Sequence, residues 1–208
     1  MKKLLAGFVI ALFAVSVASA KDGFYVGADL LQARAHHQYR VLYSAGVFED
    51  NGAQAKATST GFSLNSGYKF NLNKVFIAPE IFYDRLNNSA NDFTYQDSPA
   101  NYRDNINMNS RYGAKINLGY NIFSKFAVFA NAGFSNVSYS VKWPSVDNAR
   151  YGHKLAMIYG VGASYNIDDN WAVRASYDRQ RFNIQWVCEG LRSAVDLSVA
   201  KVGVVYGF

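Results

Sequence analysis
The scarcest residues able to do chemistry are the histidines. There are three: His36, His37 and His153. A metal site needs such ligands converging from several segments. A nucleophile needs one within hydrogen-bond reach of a serine, with an acid behind it. Ser138 and Ser140 precede His153 in the sequence, but alternation along the chain does not align them with it. All three histidines fall in or beside polar stretches that read as surface loops. No glycine-rich loop follows a strand and opens a helix, so no nucleotide site is expected. The single cysteine, Cys188, excludes an internal disulfide. Neither catalysis, a metal nor a cofactor is therefore predicted.

Two sets of charges are more informative. Asp29, Lys69, Glu80, Asp84, Lys115, Arg174, Asp178 and Lys201 each interleave with apolar neighbours. They are four acids and four bases. A basic excess lies elsewhere, in segments that read as loops or their flanks: Arg34, Arg40, Arg85, Arg103, Arg111, Arg150, Arg179 and Arg181.

The elements that position them are extended. In the last stretch, Ala200, Val202, Val204, Tyr206 and Phe208 alternate with Val199, Lys201, Gly203, Val205 and Gly207. Successive side chains of a strand point to opposite faces. One face wants an oily medium and the other accepts a lysine. The same alternation recurs near 23–35, 60–70, 75–84, 112–122, 126–135, 155–167 and 171–178. A helical reading of 112–122 would scatter the apolar residues around the axis. Pro79 predicts a bulge or a missing ladder bond in the third strand. A change of parity at Val137, Tyr139 and Val141 predicts a bulge near Asn136. Asn71–Lys74, Phe123–Lys125 and Asp168–Asn170 read as short turns. Polar stretches near 36–56, 86–110, 142–152 and 187–195 read as long loops.

About eight strands with alternating short and long connections predict an all-β fold: an eight-stranded antiparallel transmembrane up-and-down barrel. Its lipid face is apolar. Its lumen is narrow enough for side chains to fill. The eight interleaved charges would then point inward, and they must pair, because an unpaired buried ion costs several kcal/mol. A plugged, salt-bridged interior is expected, with inward glycines making room for the long cationic stems.

Composition agrees. Of 208 residues, 15 are Tyr, 15 are Phe and only 3 are Pro. Aromatic girdles need the first two, and a closed ladder excludes the third. Residues 1–20 read as a cleaved signal peptide: Lys2-Lys3, an apolar run from Leu4 to Val17, then Ala18-Ser19-Ala20. Residues 21–208 form the barrel domain. The formal net charge of +6 falls to +4 without Lys2 and Lys3, which implies no nucleic-acid partner.

Four motifs carry a resemblance: Gly23-Phe24-Tyr25-Val26-Gly27, Ala78-Pro79-Glu80-Ile81, Ala130-Asn131-Ala132-Gly133-Phe134 and Val205-Tyr206-Gly207-Phe208. The mature chain resembles the small outer-membrane barrels of the OmpA-transmembrane, OmpX and opacity-protein type, the porin-family proteins. The resemblance implies a bacterial outer-membrane surface protein with both termini periplasmic. It implies a structural or interaction role, adhesion or envelope integrity, exerted through outer loops on a host or surface ligand. Tyr206 and Phe208 resemble the signal read by barrel-insertion machinery. The implied partners are outer-membrane lipid and lipopolysaccharide, whose phosphates suit the rim arginines. A narrow porin and a lipid A-modifying enzyme are the alternatives. Nothing follows Phe208, so a peptidoglycan-binding domain is not implied.

Overall fold
The computed structural model describes residues 22–43, 47–87, 93–94, 103–143, 146–185 and 191–208. Side-chain surroundings are described for 22–36, 56–86, 107–140, 151–183 and 194–208. Eight long strands dominate: β1 (Gly23–Tyr43), β2 (Val47–Leu72), β3 (Val75–Asn87), β5 (Arg103–Asn121), β6 (Phe126–Trp143), β7 (Val146–Asn166), β8 (Trp171–Gln185) and β9 (Leu191–Gly207). A two-residue piece, β4 (Phe93–Thr94), pairs with Arg103 and Asp104 of β5.

Every long strand pairs antiparallel with its neighbours in sequence, and β3 pairs with β5. The last strand closes on the first, from Tyr25 opposite Gly207 to Val41 opposite Leu191. The sheet is therefore a closed barrel with no free edge. Its stagger follows from the register. Asp29 connects through Ser63 and Asp84 to Arg111 of β5. The other way round, it connects through Gly203, Arg174, Ser164 and Ala127 to Asn121 of the same strand. The offset, 121 − 111, is a shear of 10. Eight strands so staggered leave room for side chains and little else.

The three short turns fall at one end of the barrel, with Gly23 and Phe208. Asn73 takes a positive φ of 60° in the tightest of them, a conformation asparagine tolerates. The Phe208 N–H donates to the Phe24 carbonyl at 2.9 Å, sealing the seam. Rings gather here: Trp171 with Tyr206 and Tyr206 with Phe208, both at 5.0 Å between centroids, and Phe24 with Phe208 at 6.1 Å.

The alternation resolves as expected for lipid outside. Leu118, Tyr120 and Val204 are 54%, 45% and 44% exposed, while Lys115 and Lys201 are 4% and 3% exposed. A water-soluble barrel would reverse this. The Pro79 expectation also holds. Pairing of β2 with β3 stops between Gly67–Glu80 and Phe70–Ile77, opposite the residue that lacks an N–H.

Two local expectations are corrected. Much of the predicted loop is strand: β1 and β2 pair up to Tyr43–Val47, and β6 and β7 up to Trp143–Val146. A strand crosses hydrocarbon in about 9–11 residues, so these hairpins, with strands up to 26 residues long, project beyond it. There is no bulge at Asn136. Asn136 pairs regularly with Tyr112, and the irregularity lies further along in the facing strand, in β5 between Met108 and Ser110, opposite Tyr139 and Ser138. Val137 is inward on the same parity as Ser135 and fully buried. What changes there is the chemistry of the interior, which turns apolar.

Candidate functional site
The lumen is layered. At the short-turn end lies a cavity of about 590 Å³, bordered by Tyr25, Lys69, Phe76, Trp171 and Arg174. Above it is a charged layer. Above that, at the far end, is an apolar plug to which every long strand contributes: Leu31, Ala57, Leu86, Met108, Val137, Ala156, Phe182 and Leu197.

The charged layer is a chain of alternating sign. Arg174 reaches Asp29 at 3.1 Å and Glu80 at 2.5 Å. Lys115 lies 3.6 Å from Glu80 and 3.3 Å from Asp178. Arg111 joins Asp178, at 3.5 Å, to Asp84, at 2.6 Å. Lys201 completes the chain on Asp84 at 2.6 Å and lies 4.0 Å from Asp178. Neutral groups take up remaining lone pairs. The Tyr25 hydroxyl donates to Glu80, Asn65 to Asp29 and Asn131 to Asp178. One ring sits under three cations: Arg111, Lys115 and Lys201 lie 5.3, 5.5 and 4.8 Å from the centroid of Phe82. Gly133 makes room for the Lys115 stem, because a Cβ there would meet the Lys115 Cβ at 2.8 Å.

Seven of the eight predicted lumen residues are in this chain. Lys69 is not. It points inward but sits lower, at the cavity, its ammonium 4.4 Å from the Phe76 centroid. Its place is taken by Arg111, which the sequence reading put on the rim. That is corrected: Arg111 is fully buried. Tyr112 faces outward, so the residue before it must face in, and β5 begins well before it. Four acids still meet four bases.

Of the other rim arginines, Arg34, Arg85, Arg179 and Arg181 are exposed on outward positions of strands, not on loops. Arg179 makes a long rim pair with Asp196 at 3.9 Å. Arg40, Arg103 and Arg150 are in strands, with side chains outside the described set. Cys188 and residues 1–20 also fall outside the described residues.

Ser138 and His153 are direct cross-strand partners, and Ser138 Oγ lies 3.0 Å from His153 Nδ1. Alternation along one strand does not reveal this alignment, which is set by the register of β6 against β7. Among the described residues no acid is bonded to that imidazole, and Ser140 pairs with Tyr151 instead. A hydroxyl–imidazole contact without an orienting acid is a polar pair on the outer wall.

The model of the outer membrane protein beta-barrel domain matches residues 4–208. The chain belongs to this family. No curated protein matches. Among solved structures, this family member is similar to Neisserial surface protein A, at 18% identity over 93% of this chain and 100% of that one, with a TM-score of 0.51. It is similar to the outer membrane protein OprG of Pseudomonas aeruginosa, at 10% identity over 90% and 96%, with a TM-score of 0.51. It also matches Ail, the attachment invasion locus protein of Yersinia pestis, at 16% identity over 88% and 99%, with a TM-score of 0.46. These likenesses concern the fold.

Proposed function
We propose that this outer-membrane barrel is a non-enzymatic surface protein whose sealed body holds hairpins outside the cell, in adhesion or in envelope integrity. One observation carries the reading: the charged layer is capped by an apolar plug built from all eight long strands. An ion entering from the far end would lose its water against aliphatic walls. A barrel that passes nothing works through its outside. The far-end hairpins then present the host or surface ligand with residues 44–46, 88–102, 144–145 and 186–190.

In this reading the signal peptide leaves after Ala20, and the short turns and both termini face the periplasm. Tyr206 and Phe208 are the signal for the insertion machinery. Phe208→Ala should lower the folded fraction recovered from membranes. The outward arginines meet lipopolysaccharide.

Planar bilayers test the sealed body. The purified protein should give no discrete conductance steps, and regular steps would favour the narrow porin instead. Cells carrying a chain with 88–102 and 186–190 replaced by short turns test the role. Adherence or detergent resistance should fall while heat-modifiable gel migration persists. Unchanged phenotypes would remove the hairpins from the function.

A further inference from the structure
Among the described residues, four of the five outward cations toward the far end lie on β8, β9, β1 and β2, and the fifth is Arg85 of the adjoining β3. One row runs Arg179–Ser198–Arg34–Thr58, and the next runs Arg181–Asp196–His36–Lys56. Arg34, Lys56, Arg179 and Arg181 are all exposed, and Asp196 is the only acid in either row. Four cations against one acid leave +3 on a patch four strands wide. On the outward positions of β5, β6 and β7 no described side chain from Ser110 to Tyr120, Val128 to Ser140 or Tyr151 to Tyr165 is Asp, Glu, Lys or Arg.

Next to the cationic rows, on the same outward wall, is a furrow of about 910 Å³. Small side chains floor it: Ala130, Ala163, Ala175 and Ala200, flanked by Tyr120 and Tyr177. Ala175 precedes Arg179 by two outward positions, with Tyr177 between them, and Ala200 is the next outward position after Ser198. The furrow crosses β5 to β9 and reaches Val75 at the start of β3. Acyl chains gain contact in such a hollow that a bulky wall would deny them.

We infer that this one face holds a bisphosphorylated glycolipid of the lipid A class, with its acyl chains in the furrow and its phosphates on the two cationic rows. The lipopolysaccharide reading above is its premise. Guanidinium forks bind phosphate oxygens in pairs, and the Ser198 and Thr58 hydroxyls stand between them. Arg179 and Arg34 are two strands apart, about 10 Å at the backbone. Two phosphates at opposite ends of a disaccharide would each meet a cation. The far end carries the projecting hairpins, so the patch faces the outer leaflet, where such glycolipids reside. The Arg179–Asp196 pair is exposed and weak enough for a phosphate to replace.

Native mass spectrometry of the full protein in mild detergent tests this, with bisphosphoryl lipid A, monophosphoryl lipid A and phosphatidylglycerol as probes. The wild type should retain one bisphosphoryl lipid A per barrel, and the monophosphoryl form more weakly. The combined variant R34Q/R179Q/R181Q should bind at least about tenfold more weakly. Ala163→Phe with Ala175→Phe should weaken binding without touching charge. Arg85→Gln, outside both rows, should leave it unchanged. Unshifted gel migration in every variant shows that the barrel is intact. Lipid A binding that survives both combined variants would overturn this face and leave the broader rim reading standing. Equal retention of phosphatidylglycerol would reduce the patch to an ordinary anionic annulus. No lipid A on the wild type would remove the premise itself.

Discussion
The charged layer and the apolar plug fill the same narrow tube by opposite means. In the plug, Leu197, Val137 and Phe182 need only fit, and dispersion and dryness do the rest. In the charged layer, each of eight ions is tolerable only because its neighbours are placed. The plug is forgiving of a conservative exchange. The charged layer is not, because removing one member strands the others. Blockage and specificity are thus separated along one axis: the plug excludes water, while the ion chain fixes which strand lies beside which.

The largest expected effect is on the ion chain. Asp178 faces Lys115, Arg111 and Lys201. Asp178→Ala should cost about 3–5 kcal/mol in urea unfolding from vesicles, because it leaves buried cations uncompensated. Replacing Asp84 and Arg111 together by apolar residues of similar size should cost less than either single change. Additive losses would mean that the layer is held by packing, as the plug is.

Leu197→Ala should cost about 2–5 kcal/mol in the same assay, with the spread set by how far the neighbours collapse. Conductance sharpens the contrast. Asp178→Ala should remain electrically silent, since the plug is untouched, whereas Leu197→Ala combined with Phe182→Ala should leak. Steps from Asp178→Ala alone would make the ions the seal.

The smallest effect is outside both layers. Asp168, in a short turn, accepts the N–H of Trp171 at 2.7 Å and of Asn170 at 2.9 Å. Those backbone bonds, the Trp171 one foremost, hold its carboxyl below the ordinary 3.8. The folded value is lowered, so the contribution is complete above the unfolded value and fades as pH falls through the folded one. A carboxyl titration by NMR should show a midpoint below 3.8 for Asp168 and the ordinary value for a peptide of the same turn. A midpoint at or above 3.8 would remove the turn's pH dependence.

The lower two thirds of the barrel was legible because one medium bathes each face. From Tyr112 to Ile122 apolar means out and polar means in, and from Phe62 to Leu72 the apolar side chains likewise face out, whereas β3 already turns Phe76, Ala78 and Phe82 inward. Beyond the hydrocarbon that code inverts. The outer wall becomes wet, as at Ser138 and Arg179, while the inner wall turns apolar, as at Val137 and Val195. Alternation persists but its sign flips, so Val137 reads as a slipped strand and Arg111 as a loop cation. The contribution of Phe82 left no local mark. Its ring collects cations from β5 and β9, brought together by the stagger of the barrel. The rows of outward arginines are equally invisible in sequence, because neighbours such as Arg34 and Arg179 are related by register alone.

The seam between β1 and β9 has a consequence for biogenesis. Tyr25 pairs with Gly207, 182 positions later, so the earliest strand made is completed by the latest. Contacts so distant along a chain form slowly. Until Leu191–Gly207 arrives, Gly23–Tyr43 presents an unsatisfied edge that invites wrong partners. Pairing of β1 with β9 is therefore expected to be the last step in closing the barrel.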